Sequence, residues 1–202
     1  MSLPPKKIVM ASGNAGKLAE IRRLLEGLAV EVIAQSELGV SDADETGTTF
    51  AENSLLKARH AAHVTGLPAI ADDSGIAVDA LGGRPGVYSA RYAGENATDD
   101  ENVDKLLEEV ADVCDENRGA AFHCVATFVN PGETDALVAE GVWHGSLLRA
   151  RQGDGGFGYD PIFLDPESGL SSAELTPAQK NARSHRGQAL RALVRQLEQR
   201  YE

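Results

Sequence analysis

Short apolar runs alternate with stretches of helical spacing along most of this chain. Lys6 to Ala11 contains Ile-Val-Met-Ala and leads into Ser12-Gly13-Asn14, which predicts a buried strand followed by a loop. Leu18, Ile21, Leu24, Leu25 and Leu28 then recur at helical spacing, predicting a helix over Lys17 to Leu28. Residues 30–34 predict a second strand. Phe50 to Val64 predicts a helix carrying Lys57 and Arg59, punctuated by Gly66 and Pro68. Ala69 to Ala71 and Ile76 to Val78 predict two short strands flanking Asp72-Asp73. Gly82 to Gly86 and the Gly-rich residues 152–160 read as loops. Asp99 to Val113 predicts a helix. Ala120 to Val129 and Ala136 to Leu148 predict strands joined at Asn130-Pro131-Gly132, a strong turn. Thr176-Pro177 opens a helix with proline in its first turn. A last helix, from about 184 to 200, places Leu190, Leu193, Val194 and Leu197 on one face.

Strands interleaved with helices, plus a central hairpin, predict an α/β fold of three layers with a mixed sheet. At 202 residues the chain is read as a single domain, 1–202, with room for two lobes sharing a core. A chain of this length buries roughly 70% of its unfolded surface, so no disulfide or metal staple is needed for folding. Cys114 and Cys124 form neither a framework nor a zinc pattern, and free thiols fit a reducing compartment. The start, Met-Ser-Leu-Pro-Pro-Lys-Lys, lacks an apolar run after its basic residues, and no segment approaches the roughly 18 apolar residues of a membrane span. A cytoplasmic protein without a membrane partner is expected. The net charge of −12 argues against nucleic acid as a partner, because phosphate backbones reward stripes of Lys and Arg. A small phosphorylated ligand stays open, since a few focused cations outweigh a distant negative surface.

The candidate chemistry centres on Pro-Ala-Ile-Ala-Asp72-Asp73-Ser74-Gly75. Desolvating two adjacent carboxylates costs several kcal/mol unless a cation or strong donors offset it. A divalent metal would hold such a pair, and Mg²⁺ is the usual choice for oxygen ligands beside phosphates. A strand ending in an acidic turn is the plain alternative. Ser12 to Lys17 sits where a strand becomes a helix, a ready anion site, but its spacing is not that of a Walker A loop. Taken alone it also reads as a turn capping a helix. Asp42-Ala-Asp44-Glu45-Thr46-Gly47 is neither a phosphatase nucleophile motif, lacking the preceding apolar strand, nor an EF-hand, whose twelfth position falls on Asn53. It leaves an acidic loop in which Glu45 is a candidate metal ligand. Phe157-Gly158-Tyr159-Asp160 offers aromatic surface that could stack on a base, or a turn with an anchoring aromatic. Ser184-His185-Arg186-Gly187 offers donors near a helix start, or a simple cap. The Nudix helix signature is absent.

Singly these segments are weak, but their order is specific. The chain resembles the inosine triphosphatase (Ham1-like) family of nucleoside-triphosphate pyrophosphatases, most closely its bacterial members that clear deaminated purine triphosphates. The resemblance rests on Ser12-Gly13-Asn14-x-x-Lys17, Glu45-Thr46-Gly47-x-Thr49-Phe50, Glu52-Asn53-x-x-x-Lys57-Ala58 and Ala71-Asp72-Asp73-Ser74-Gly75. It continues through the Gly82 to Gly94 run with Tyr88-Ser89-Ala90-Arg91-Tyr92, Gly156-Phe157-Gly158-Tyr159-Asp160-Pro161-Ile162-Phe163, and Ser184-His185-Arg186-Gly187-Gln188-Ala189-Leu190. Residues 111–119 and 130–136 carry no such motif.

The resemblance implies an elongated mixed central sheet, two lobes around a nucleotide cleft, and a homodimer. It implies Mg²⁺-dependent hydrolysis of inosine, deoxyinosine or xanthosine triphosphate to the monophosphate and pyrophosphate. By position, Asp73 becomes the proton acceptor and a metal-associated carboxylate, Glu45 a second metal ligand and Asp72 a supporting one. Ser12, Gly13, Asn14, Ala15, Gly16, Lys17, Ser74, Phe157, Gly158, Tyr159, Asp160, Lys180, His185 and Arg186 become substrate contacts, with Lys57 a further phosphate contact.

Overall fold

A computed structural model describes residues 5–12, 15–26 and 30–201. The elements in chain order are β1 (Lys7–Met10), α1 (Ala15–Leu24), β2 (Glu31–Ala34), α2 (Phe50–Thr65), β3 (Ala69–Val78), α3 (Asp99–Glu109), β4 (Gly119–Val129), β5 (Ala136–Leu147), β6 (Phe163–Leu164), α4 (Pro177–Arg183) and α5 (His185–Tyr201). They build one six-stranded sheet in the order β2-β1-β3-β4-β5-β6. β1 pairs in parallel with β2 (Ile8 opposite Val32) and with β3 (Met10 opposite Ile70), whereas β5 and β6 are antiparallel. The expected mixed α/β sheet is therefore present. β1 lies between two parallel neighbours, and its Ile8, Val9 and Met10 are all buried, which is why it reads as an unbroken apolar run.

Capping sets the helix starts. The Thr49 hydroxyl accepts from the Glu52 N–H at 3.1 Å, and the Glu52 carboxylate returns to the Thr48 and Thr49 N–H groups at 2.7 and 3.2 Å. Thr98 with Glu101 opens α3 in the same way, and Thr176 with Gln179 opens α4, where Pro177 takes the first position. α2 stops at Gly66, whose φ of 67° only glycine adopts without strain.

One expectation is corrected and one element is additional. Asp72 and Asp73 do not sit in a turn between two short strands; Ala69–Val78 is one continuous strand with the acid pair inside it. Lysines reaching the carboxylates from α1 and α2 supply the counter-charge that lets the strand run on. β6, two residues long, was not foreseen, because its only signal is a distant partner on β5.

The chain divides into two compact units, one of Met1–Asp73, Cys124–Glu140 and Gln188–Glu202, the other of Ser74–His123 and Gly141–Gly187. The first unit has a mainly aliphatic core built on Ile8, Met10, Ile70, Leu190 and Leu193, with Phe128 as its buried aromatic ring. A second cluster joins Ala58, Ala61 and Ala62 of α2 to Val9, Ala69 and Ala71 of the sheet, and these small side chains let the helix approach closely. The second unit has an aromatic core. Phe163 lies 4.5 Å from Phe122 and 5.0 Å from Trp143, centroid to centroid, in tilted geometry. Both cysteines are free, and among the described residues no helix is long and apolar enough to cross a membrane.

Candidate active site

In the first unit the acid pair divides between two lysines. Neighbouring residues of a strand point to opposite faces, so Asp72 and Asp73 must find separate partners. Lys17, in the first turn of α1, donates to Asp72 Oδ2 at 2.8 Å. Lys57 of α2 donates to Asp73 Oδ1 at 2.8 Å and to Glu45 Oε1 at 2.9 Å. Asn53, one turn before Lys57, donates to Asp73 Oδ2 at 3.3 Å. The Cys124 thiol lies 3.9 Å from Asp72 Oδ2.

Burial, reinforced by the charge of Glu45, pushes the Asp73 carboxyl above its usual range, against the pull of Lys57 and Asn53. Burial alone would lower the Lys57 ammonium, but the Asp73 charge and the bonds to Asp73 and Glu45 win, and its net shift is upward. Lys57 therefore keeps its proton while Asp73 is poised to accept one more readily than an exposed aspartate.

In the second unit a loop presents one aromatic ring between cations. Phe157 is 52% exposed, with Lys180 Nζ 4.8 Å and Arg186 Cζ 5.6 Å from its ring centroid. Asp160 turns inward to hold this loop. It accepts from the Phe157 N–H and the Ser172 hydroxyl, both at 2.8 Å, and pairs with Lys180. Gly156, at φ 78°, must be glycine, since a Cβ there would strike the Asp160 carboxylate. The Gly158 N–H is tied to Asp99 at 2.7 Å. Tyr159 is buried, and its hydroxyl donates to the Ser89 carbonyl at 2.8 Å; burial raises its pKa well above the usual phenol value. Arg186 donates to the Ser74 hydroxyl at 2.9 Å, and His185 stacks on Phe122 with centroids 4.8 Å apart.

Of the residues expected from sequence, Lys17, Glu45, Lys57, Asp72 and Asp73 gather in the first unit. Phe157, Asp160, Lys180 and Arg186 gather in the second, with Ser74 bonded to Arg186. Ser12 follows β1, its N–H bonded to the Met10 carbonyl, and Ala15 and Gly16 open α1. Gly13 and Asn14 lie outside the described residues. Tyr159 and Asp160 spend their polar atoms on holding the loop. Asn53 is the functional candidate that sequence reasoning passed over. Its spacing of four residues from Lys57 on a helix was the available signal.

The lysine contacts also mark where a metal would fit. Glu45 and Asp73 place one oxygen each on the same ammonium, so both carboxylates converge on a single cationic point. Among the described residues no group of three His, Cys, Asp or Glu side chains is arranged to hold an ion. Two converging carboxylates without nitrogen or sulfur donors suit a hard ion such as Mg²⁺, which keeps waters and takes its other ligands from phosphate. Asp72, fully buried against Lys17, is one residue away and on its own cation.

A sequence profile described as the Ham1 family matches residues 8–196. The chain belongs to the Ham1 family. A relative in Pectobacterium atrosepticum named dITP/XTP pyrophosphatase is 58% identical over 190 residues, covering 94% of this chain and 96% of the relative. One of the same name in Salmonella paratyphi A is 57% identical with the same coverage. The solved structure of a HAM1 protein from Coxiella burnetii is similar, with a TM-score of 0.90, 50% identity, and coverage of 96% of this chain and 98% of that one.

Proposed function

We propose that this Ham1-family chain is a nucleoside-triphosphate pyrophosphatase that hydrolyses non-standard purine triphosphates (ITP, dITP and XTP) to the monophosphate and pyrophosphate. The observation that carries the reading is the Lys57 ammonium shared by Asp73 and Glu45, in a chain whose relatives are named for this reaction. In the reaction, water oxygen attacks the α-phosphorus and the bond to the bridging oxygen of the β-phosphate breaks. The water's proton passes to Asp73, whose buried carboxyl has a raised affinity for it. Lys17 and Lys57 offset charge on the triphosphate. Glu45 and Asp73, with Asp72 in support, would hold Mg²⁺, which supplies polarisation of phosphate oxygens and acidifies water when bound.

Phe157 supplies a flat exposed face for a purine. His185 and Arg186 are held by Phe122 and Ser74 and cannot readily turn away. Fixed donors accept a 6-oxo purine and are left unpaired by the 6-amino group of adenine, which protects ATP. The reading extends to a cytoplasmic homodimer, which sedimentation of the purified protein would check. Purine triphosphates assayed one at a time with Mg²⁺ test the function. Pyrophosphate should appear from ITP, dITP and XTP and far less from ATP. Equal turnover of ITP and ATP contradicts the specificity, and diphosphate plus phosphate as products contradicts the cleavage position.

A further inference from the structure

Asn53 lies fully buried inside α2, its own N–H bonded to the Thr49 carbonyl at 3.1 Å. Both ends of its amide are used. Oδ1 accepts the Gly47 N–H at 2.8 Å, and Nδ2 donates to Asp73 Oδ2 at 3.3 Å. The orientation is forced, because a backbone N–H needs an acceptor and a carboxylate needs a donor. Lys57, one turn further along the same helix, takes the other Asp73 oxygen and Glu45. Gly47 stands two residues after Glu45, and a Cβ there would sit 2.6 Å from Asn53 Oδ1 and 2.7 Å from Glu52 Cβ. Close approach to Asn53, not backbone conformation, is therefore what demands glycine.

We propose that Asn53 is a positioning residue for the reaction: it fixes the rotation of the Asp73 carboxylate and, through Gly47, sets the place of the Glu45 loop. Without the amide, Asp73 could turn about its side-chain bonds and the Glu45 loop would lose its tie to α2. The inference rests on the function proposed above. Groups that orient a metal ligand or a reacting carboxylate typically contribute about 10–100-fold in metal affinity or activity.

Asn53→Asp keeps the shape and the acceptor for Gly47 but puts an oxygen where Asp73 had a donor. Its kcat for dITP should fall about 10–100-fold, with KM changed by less than about threefold. Gly47→Ala leaves Asn53, Asp73, Glu45 and Lys57 chemically intact yet displaces the amide, and should show the same split. Mn²⁺ alone, titrated calorimetrically into Asn53→Ala, should bind about tenfold more weakly than to wild type. If Asn53→Ala does not fold, the Mn²⁺ titration is made on Gly47→Ala. The proposal is overturned if folded variants keep wild-type kcat and Mn²⁺ affinity while only their melting temperature falls, since Asn53 would then merely fill space. Absence of pyrophosphate release by the wild type would instead overturn the functional reading, and the Mn²⁺ comparison would still judge Asn53.

Discussion

The cluster around Asp73 and the cluster around Phe157 use the same residue types for opposite ends. In the first, carboxylates meet lysines: Asp72 pairs with Lys17, and Asp73 and Glu45 share Lys57. In the second, a buried carboxylate, Asp160, is turned inward to hold its own loop, while the ring it supports stays exposed beside two cations. The first arrangement suits exchange of ions and movement of a proton. The second suits a flat, anionic guest that must be recognised but not changed. A difference in core accompanies this: aliphatic side chains underlie the Asp73 strand, and packed aromatic rings underlie the Phe157 loop.

The comparison can be broken by exchanging the two signatures. Lys57→Met leaves Glu45 and Asp73 without the ammonium between them. It should lower kcat/KM for dITP about a hundredfold, as loss of one electrostatic stabiliser does, measured by pyrophosphate release at saturating Mg²⁺. Phe157→Ala should act on binding instead. Loss of base stacking worth about 1–3 kcal/mol should raise KM roughly 10–100-fold with kcat little changed. Its melting temperature should stay put, because the ring is exposed. A kcat effect from Phe157, or a pure KM effect from Lys57, would erase the distinction.

The smallest expected effect sharpens the second region alone. Asp165 is buried in the same unit, accepting from Trp143 at 3.1 Å and from the Ser168 hydroxyl at 2.7 Å. Burial would raise its carboxyl, but the Ser168 and Trp143 hydrogen bonds and the Arg183 charge outweigh this and hold it below the usual 3.8. The folded state thus favours the carboxylate, so its contribution is complete above that unfolded value and is lost as pH falls through the lower folded one. Asp165→Asn should lower the melting temperature by roughly 3–6 °C at pH 7. The gap should narrow below about pH 4, and a pH-independent gap would contradict the assignment.

Much of this was legible in the sequence, and the exceptions share a cause. The apolar run of β1, the helix opening at Thr176-Pro177 and the leucine face of α5 are local patterns, and each appears where the spacing placed it. The acid pair was misread as interrupting a strand because its counter-charges stand 55 and 16 residues away, at Lys17 and Lys57. Asn53 was overlooked for the same reason: its spacing from Lys57 is visible, its bond to Asp73 is not. Asp160 was expected as a substrate contact from the family motif; that its side chain bonds Ser172 and the Phe157 N–H is something no spacing rule announces. Membership of the Ham1 family was carried by the order of seven weak motifs, none decisive alone.

The central claim is that Asp73 takes the proton from the attacking water. The most direct measurement is the single-turnover rate of pyrophosphate release from dITP by Asp73→Asn, a change that keeps shape while removing the basic oxygen. The rate should fall about a thousandfold, within the range for loss of a general base, while the melting temperature holds within a few degrees of wild type. A folded Asp73→Asn protein that releases pyrophosphate within about threefold of the wild-type rate would contradict it.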